Sequence, residues 1–460
     1  MAKEKMLKSV VASENDSIKK VMQIIDHSGF RVAYVVDDKN KLIGVVSDSE
    51  IRKAIIRGND INKSVREIVN ADPIVVRAKE VNNNATAKKK MKQLLEKMPD
   101  SRYILLLDDK DRPHKLLPIV IGQKSGSIRQ SQNGGKRVLI VGGAGYLGSI
   151  LSRKLLSNGF KVKVLDVLMY GREPIEEMLA HDAFELVEGD MRNISTLVKA
   201  IERVDQVVNL AAIVGDPACT LKPADTIETN FLANRALAEA CKYNQINRFV
   251  YASTCSVYGM MEGDEKLTEE SSLNPVSLYA RSKVQAEEGI LSLEDENFSP
   301  TILRMSTLYG YSPRMRFDLV VNTMTKNAVI DKKIFVHGGG KQWRPLLNVE
   351  DAAEAYMRVL QEPLKNVKGQ TFNVGSEEQN YQILDIAKAV KESVPNAKLI
   401  VEGEEKDLRN YFVSFSKIEK TLEFKAVKQL KDSIFRIKKA IEDNRFSNIN
   451  DPKYYNVEIG

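Results

Sequence analysis

A glycine-rich turn between an apolar strand and an amphipathic helix limits the folds open to this chain more than any other feature. The apolar run 136–141 leads into the turn, and a periodically apolar helix follows it to Ser157. The glycines of the turn are Gly142, Gly145 and Gly148. The next strand closes on Asp166, as in dinucleotide-binding units, where the turn and helix N-terminus bind a diphosphate and the acid binds ribose hydroxyls. Because a carboxylate repels a 2′-phosphate, Asp166 favours NAD over NADP.

The following segments predict the sheet to which that unit belongs. Further apolar strands stand at 184–191, 204–212 and 248–254, and helical segments such as 230–243 lie between them. Strands and helices that alternate at this spacing are typical of a doubly wound parallel sheet. The sequence therefore predicts an α/β fold, a Rossmann-type doubly wound parallel sheet with a smaller C-terminal substrate-binding α/β region.

A threonine, a tyrosine and a lysine form a candidate catalytic group at the carboxyl end of this sheet. Thr254 ends the strand 248–254, and parallel sheets bind ligands at that end. Tyr279 and Lys283 stand four residues apart, so they share one helix face. A neighbouring ammonium and a positively charged nicotinamide both favour tyrosinate over the neutral phenol, whose usual pKa is about 10. The pattern predicts acid–base catalysis of hydride transfer at a carbinol.

These motifs are similar to those of the extended short-chain dehydrogenase/reductase family, in particular its nucleotide-sugar epimerases and dehydratases. The similarity covers about residues 136–440. It implies that the cofactor is bound by Gly142, Gly145, Tyr146, Leu147, Gly148, Asp166, Asp190, Met191, Ala211, Asn230, Tyr279 and Lys283. In this resemblance Asp190 and Met191 line the adenine, and Asn230 braces the active-site strand.

The same resemblance implies three substrate contacts. Arg344 and Arg409 stand where family members bind the substrate diphosphate, a role suited to the forked donors of arginine. Thr307 stands where many relatives carry an asparagine that contacts the substrate. This departure leaves the identity of the sugar open.

Residues 255 and 256 distinguish between the reactions of that family. Its 4,6-dehydratases carry an Asp-Glu pair there, which eliminates water, whereas this chain carries Cys255 and Ser256. The resemblance therefore implies an NAD-dependent epimerase, which oxidises C4 of a nucleoside diphosphate sugar transiently and returns the hydride to the other face. Two alternatives stay open: a nucleotide-4-keto-sugar reductase that uses the same catalytic residues, and a non-catalytic NAD sensor.

The first 121 residues contain an internal repeat. Segment 31–39 matches segment 102–110 at an offset of 71 residues, and each copy reads as a helix, a strand and an Asp-Asp turn. The repeat resembles a tandem pair of α+β CBS domains. The resemblance implies that Ser47 and Asp48 contact the ribose of an adenine nucleotide. The competing hypothesis is that the pair only mediates dimerisation and that these two residues cap a helix.

Composition predicts where the domains divide. Eleven of the fourteen residues at 122–135 are Gly, Ser, Gln or Asn, a composition typical of a flexible linker. We therefore predict a CBS pair at 1–121, a linker at 122–135, a catalytic domain at 136–445 and a C-terminal tail at 446–460.

Charge and composition restrict the partners. Residues 1–121 carry 24 Lys and Arg against 17 Asp and Glu, whereas the later residues carry 45 of each. The basic runs are short, which favours a small anionic ligand over nucleic acid. No stretch approaches the ~20 apolar residues of a membrane span, and three cysteines fit neither a disulfide framework nor a zinc site. We expect a cytoplasmic enzyme without a metal, and the resemblance implies a homodimer or higher homo-oligomer through helices around 230–243 and 277–292.

Overall fold

The chain divides into two compact units, Met1–Arg129 and Gln130–Gly460. The computed structural model describes residues 7, 9–28, 32–81, 90, 93–94, 103–118, 135–260, 266–403 and 410–456. The boundary between the units falls within 122–135, but of that segment only Gly135 belongs to the described residues. The domain bounds given above therefore stay predictions.

The N-terminal unit contains two similar three-stranded sheets, in each of which a short strand pairs in parallel with the first strand of an antiparallel hairpin. The strands are β1 Val11–Ser13, β2 Val32–Val36, β3 Leu42–Ser47, β4 Val76–Arg77, β5 Tyr103–Leu107 and β6 Pro113–Pro118, and the helices are Ile18–Ser28, Asp48–Ile56 and Ala78–Val81. The hairpin turns carry Asn40 at a φ of 59° and Asp111 at 57°. These two residues are 71 positions apart, so the structure repeats at the offset of the sequence repeat.

Seven of the described strands of the second unit form one parallel sheet, in the order β16-β12-β11-β10-β7-β8-β9. Their bounds are β7 Arg137–Val141, β8 Lys161–Asp166, β9 Phe184–Glu188, β10 Gln206–Asn209, β11 Arg248–Thr254, β12 Ser299–Met305 and β16 Thr371–Val374. The order reverses at β7, which has β8 on one side and β10 on the other. Doubly wound sheets bind ligands at the carboxyl ends of strands at such a reversal. The predicted fold class is confirmed.

Two strands end earlier than the sequence predicts. Strand β9 stops at Glu188 because its neighbour β8 stops at Asp166 and offers no further partner in the register. Strand β10 stops at Asn209, level with Val141 at the end of β7, although its other neighbour β11 continues to Thr254. The predicted helix 230–243 begins as a π-helical turn, Glu228–Ala233, before it becomes α-helical.

The strands that follow β12, apart from β16, form smaller sheets of the second unit, in the orders β13-β15-β17 and β14-β18. Their strands are β13 Thr307–Tyr309, β14 Lys333–His337, β15 Trp343–Asn348, β17 Asn380–Gln382 and β18 Lys398–Glu402. The α-helices of the unit are Gly148–Ser157, Ile194–Ile201, Asp216–Leu221, Pro223–Ile227, Asn234–Tyr243, Leu278–Leu291, Val320–Ile330, Val349–Gln361, Leu364–Val367, Ile383–Ser393, Ser416–Leu422 and Leu430–Glu442. A bilayer-spanning helix, which must be long and apolar, does not occur among the described residues.

The segment that follows the helix Leu430–Glu442 packs back onto the rest of the second unit. The buried ring of Phe317 lies 5.2 Å from the ring of Phe446 and 5.9 Å from that of Tyr454, both edge to face. Phe317 also donates its backbone N–H to Tyr454 O at 2.8 Å. The aromatic rings and this hydrogen bond fix the described part of the predicted tail, 446–456, against the loop that contains Phe317.

Candidate functional site

The glycine turn has the shape that a diphosphate site requires. Gly142 directly follows β7 and has a φ of 83°, a conformation that favours glycine. A side chain at Gly148 would collide with the backbone of Gly142 and Gly143, so helix and strand can approach only with glycine there. The helix Gly148–Ser157 starts after Leu147, and among the described residues no side chain caps its first N–H groups. These N–H groups and the helix dipole fit the anionic diphosphate of NAD.

The carboxylate of Asp166 is fixed at the end of β8 beside that turn. Its Oδ2 accepts a hydrogen bond from Ala144 N and its Oδ1 one from Leu168 N, both at 2.9 Å. Burial raises the pKa of Asp166, although these two hydrogen bonds act to lower it. Each oxygen keeps a further lone pair, so an oriented carboxylate remains for two ribose hydroxyls.

Three other predicted cofactor residues surround the turn and the neighbouring strand end. Ala211 N donates to Asn209 Oδ1 at 3.2 Å, and it would lie 2.9 Å from a Cβ placed on Gly142. Met191 is buried just beyond β9. Beside it, a hydrogen bond and ion pair with Arg192 lower the pKa of Asp190, whose Oδ2 lies 2.7 Å from Arg192 Nη2. Contacts of these residues with adenine stay a prediction.

The structure brings Thr254, Tyr279 and Lys283 together at the carboxyl end of β11. Ser277 caps the helix Leu278–Leu291, which we call the catalytic helix, and so fixes the start of the turn that carries Tyr279. Thr254 is hydrogen-bonded to Tyr279. Lys283 Nζ donates to Ala252 O at 2.8 Å and lies 5.8 Å from the centre of the Tyr279 ring. Their roles in the reaction remain to be tested.

Burial dominates the electrostatics of this group. It raises the pKa of Tyr279 above its usual value, while Arg316 and the hydrogen bond with Thr254 act in the opposite direction. Arg316 is itself buried and paired with Asp318, at 3.2 Å from Nε to Oδ1. Burial also lowers the pKa of Lys283 from 10.5 to about 8. The lysine is therefore poised to change charge close to neutral pH.

Sequence reasoning missed a buried network behind the lysine. Glu287, one helical turn after Lys283, accepts hydrogen bonds from Arg304 Nε at 3.1 Å and from Arg304 Nη2 at 2.7 Å. Arg304 Nη1 also donates to Tyr258 OH at 3.0 Å. The charge of Glu287 raises the pKa of Lys283 against the effect of burial. The only sequence signal was the four-residue spacing from Lys283, which is common on any helix.

Asn230 fastens the loop after β10 to the catalytic helix. Its Oδ1 accepts from Ile213 N at 2.8 Å, and its Nδ2 donates to Ile213 O at 2.9 Å and to Ser282 Oγ at 3.2 Å. Asn230 thus braces the loop after β10 rather than the strand that carries Thr254. The π-helical turn points this side chain inward, as such turns often do at functional sites. Asn209, to which the sequence analysis gave no role, is hydrogen-bonded to Asn234 and so joins the end of β10 to the helix Asn234–Tyr243.

Two of the three predicted substrate residues belong to the described part of the chain. Arg344 is 5% exposed on β15, and its guanidinium carbon lies 5.2 Å from the centre of the Tyr411 ring. Tyr411 OH lies 3.4 Å from Ser256 Oγ, which is hydrogen-bonded to Thr254. A series of contacts through Tyr411 and Ser256 therefore connects Arg344 to Thr254. Thr307 is half-buried on β13, and Arg409 lies outside the described residues.

In the N-terminal unit, Ser47 caps the helix Asp48–Ile56. Its backbone N–H donates to Glu50 Oε2 at 2.8 Å and its hydroxyl accepts from Glu50 N at 3.4 Å, a capping box. The side chain of Asp48 lies outside the described residues. The cap fits the competing hypothesis, and it leaves a nucleotide contact of Ser47 untested.

The chain matches models of known families in both units. Residues 138–375 match the model described as NAD dependent epimerase/dehydratase family, and residues 2–57 match the CBS domain model. The chain is 28% identical over 312 residues to an uncharacterized UDP-glucose epimerase, YtcB, of Bacillus subtilis (strain 168), covering 65% of this chain and 95% of that protein. It is 29% identical over 274 residues to a UDP-N-acetyl-alpha-D-glucosaminuronate decarboxylase of Bacillus cytotoxicus, covering 58% and 83%.

A solved structure shares the fold of the catalytic unit. The UDP-glucuronic acid 4-epimerase of Bacillus cereus, solved in complex with UDP-glucuronic acid and NAD, aligns with a TM-score of 0.60 at 25% identity. The alignment covers 67% of this chain and 99% of that one. A likeness at this coverage extends over the main sheet and the smaller region together.

Proposed function

The chain belongs to the NAD dependent epimerase/dehydratase family, and from that premise we propose that it epimerises C4 of a nucleoside diphosphate sugar. The observation that carries the proposal is the grouping of Thr254, Tyr279 and Lys283 beside positions 255 and 256, which hold no carboxylate. The relatives named as epimerases act on UDP sugars, and others are named decarboxylases and dehydratases. The site itself must therefore distinguish between these reactions.

The residues after β11 disfavour elimination of water. Elimination needs a proton donor and a base beside the reacting carbons, in addition to Tyr279. Cys255 is 1% exposed, its Sγ donates to Arg304 O at 3.3 Å, and burial raises the pKa of its thiol. Ser256 is a neutral hydroxyl bonded to Thr254 and Tyr411. Neither residue supplies the acid–base pair of a dehydratase.

Epimerisation needs only what the site holds. Tyr279 takes the proton from O4 and gives it back after the sugar has turned, while Thr254 holds the O4 hydroxyl by a hydrogen bond. NAD held by the glycine turn and Asp166 would supply the acceptor for the C4 hydride and its donor to the opposite face. The ammonium of Lys283 stabilises tyrosinate as the proton moves. No net oxidation or reduction results.

We assign the substrate diphosphate to Arg344, near the start of β15. Arg344 is buried against the ring of Tyr411, and its Nη1 donates to Trp343 O at 2.7 Å. Arginine in a buried aromatic setting binds phosphate through paired, charge-assisted hydrogen bonds. We assign Arg409 to the same diphosphate by family resemblance alone.

Turnover on a panel of nucleotide sugars in D2O tests the proposal. UDP-glucose, UDP-glucuronic acid and UDP-N-acetylglucosamine are each incubated with the purified protein without added NADH, and the products are analysed by NMR. We expect one 4-epimer pair to interconvert with no deuterium at C4, because the hydride that leaves C4 is the one that returns. Turnover of a 4-keto sugar only with added NADH would identify a reductase and contradict the proposal.

We further propose that the N-terminal unit, which carries a CBS domain, binds an adenine nucleotide. A cavity of about 710 Å³ in this unit supports a ligand of that size, since small-molecule sites usually span 300–1,000 Å³. Its lining combines apolar residues such as Ile43 and Ile74 with three cations that are each paired with a carboxylate: Lys41 and Arg77 with Asp111, and Lys90 with Glu80. Cations suit phosphates, and an apolar wall suits the base.

Calorimetric titration of the full chain tests this second proposal. Saturating NAD is present throughout, so that AMP, ADP and ATP cannot bind at the dinucleotide site. We expect one of them to bind, and Asp48→Ala to abolish binding if the ligand contacts the predicted turn. If Arg77→Met abolishes binding instead, the ligand binds in the cavity, because Arg77 lines the cavity and Ser47 does not. No binding at millimolar concentration would leave the oligomerisation role.

A further inference from the structure

The loop 310–317 is bound directly to the glycine turn. Ser312 Oγ donates to Tyr146 O at 2.7 Å and lies 3.3 Å from Ser149 Oγ. The hydroxyl of Tyr146 donates in return to Gly310 O at 2.6 Å. Side chains of this loop are therefore held beside the backbone N–H groups that fit a diphosphate.

Arg314 of this loop is a buried cation that forms no ion pair with any carboxylate among the described residues. It is 3% exposed, its guanidinium carbon lies 3.7 Å from the centre of the Tyr170 ring, and its Nη2 donates to Asn456 Oδ1 at 2.5 Å. Among the described residues its Nε has no hydrogen-bond partner and no carboxylate pairs with it. Burial and the nearby Arg316 lower the pKa of Arg314 to about 10.

Two other buried arginines of the site differ in this respect. Arg304 is paired with Glu287, and Arg316 with Asp318. A buried charge without a partner is costly, so sites that keep one usually bind a counter-ion there. The field of Arg314 reaches Asp166 and Tyr146, because it acts to lower the pKa of both groups. Asp166 marks the ribose position and Tyr146 the diphosphate turn.

We propose that Arg314 is a cofactor-binding residue that pairs with the diphosphate of NAD. Stacking on Tyr170 and the bond to Asn456 hold the guanidinium in place, and the Nε–H remains for a phosphate oxygen. Asn456 acts through Arg314 and is a positioning residue. The inference rests on NAD as the family's cofactor and not on the proposed sugar chemistry, so it is tested without a sugar.

Calorimetry with four ligands locates the phosphate that Arg314 binds. NAD and ADP carry the cofactor diphosphate, adenosine lacks it, and UDP carries the diphosphate of the substrate. We expect Arg314→Met to weaken NAD and ADP about 10- to 100-fold, the worth of a charged hydrogen bond, and to change adenosine and UDP less than about twofold. We expect Arg314→Lys to lie between, since it keeps charge without the planar fork.

Matched variants and a second measurement keep the result clear. Arg358→Met removes an exposed arginine that pairs with Glu354 of the same helix, Val349–Gln361, and it should leave all four affinities unchanged. The melting temperature of Arg314→Met without nucleotide should stay near that of the wild type, while its rise on adding NAD should shrink. If that variant does not fold, the Arg314→Lys affinities decide. Wild-type affinity for NAD, or a loss confined to UDP, would overturn the proposal.

Discussion

Tyr279 has the clearest single role at the scale of one residue. Its side chain is half-buried, its hydroxyl is hydrogen-bonded to Thr254, and its ring centre lies 5.8 Å from the ammonium of Lys283. Tyr279→Phe removes the hydroxyl but keeps the packing of the ring. We expect turnover to fall by about 10²- to 10⁴-fold, the usual contribution of a positioned proton donor. NAD content of the purified variant, measured after denaturation, should stay at the wild-type level, and near-normal turnover would refute the assignment.

At the same scale, we predict that Asp166 determines the choice of dinucleotide. Two backbone N–H groups orient its carboxylate at the end of β8. Asp166→Ala removes both the acceptor for the ribose hydroxyls and the repulsion of a 2′-phosphate. We expect weaker binding of NAD and a smaller preference over NADP, measured by calorimetry. Tighter binding of NADP than of NAD by the wild-type protein would show that the interpretation of Asp166 is wrong.

The catalytic helix connects three of these residues at the scale of one element. Tyr279, Lys283 and Glu287 follow each other at intervals of four, so each influences the next along one face. Lys283 carries its proton below about pH 8 and loses it above. Its folded pKa is lower than its usual 10.5, so the cost of burying its charge is greatest below pH 8 and disappears by about pH 10.5. The free energy of unfolding should therefore increase above about pH 8, the same range in which Lys283 loses the charge that we expect catalysis to need.

A pH profile with a matched pair of variants tests this coupling. We expect the slope of log kcat/KM against pH to decrease near pH 8 in the wild type, because Lys283 loses its charge there while Tyr279 titrates higher. Glu287→Gln removes a charge that raises the pKa of Lys283, so the break should move to lower pH. Glu288→Gln, on the exposed face of the same helix, should leave the break in place.

Glu287→Gln also tests stability. The substitution leaves Arg304 buried without its carboxylate partner, and breaking a buried pair costs about 3–5 kcal/mol. Urea unfolding should show a loss of this order for Glu287→Gln and little change for Glu288→Gln. If both variants unfold alike and keep the wild-type pH profile, Glu287 has neither role.

Local patterns predicted the elements of the site, while its long-range contacts needed the structure. Alternating apolar runs located β7, β8 and β11, and the four-residue spacing located Tyr279 and Lys283. The partners of Arg304 and Arg314 lie 17 and 142 residues away in sequence. Such pairs depend on which strands become neighbours, and no local pattern specifies that. The early end of β9 has the same origin, since this strand stops where its neighbour β8 does.

At the scale of the whole molecule, each unit has a core of its own. Buried residues of the second unit, such as Leu139, Val207 and Phe249, form one cluster, and residues such as Val21, Ala33 and Val46 form another within the first unit. We therefore expect residues 130–460 alone to fold and to retain basal turnover, and any response to an adenine nucleotide to be lost. Loss of turnover in a folded fragment would show that the first unit takes part in catalysis.

Subunit number is the second question at this scale. The family resemblance implies pairing through helices Asn234–Tyr243 and Leu278–Leu291, and Tyr243 is 72% exposed at the end of the first. We expect a homodimer or larger assembly by sedimentation equilibrium. Tyr243→Glu should shift it toward the monomer, whereas Phe435→Glu, at a ring that is 60% exposed on the helix Leu430–Glu442, should not. A monomeric wild type would contradict the expectation.

The packing of Phe446 and Tyr454 around Phe317 also has a consequence for synthesis on the ribosome. More than a hundred residues separate Phe317 from these rings, and at roughly 5–20 residues per second the gap lasts on the order of ten seconds. Throughout that interval the nascent chain exposes the apolar surface that the rings later cover. The first unit can be complete by then, but the second must wait for this late segment. Nascent chains arrested in this interval are thus the ones on which chaperones would act.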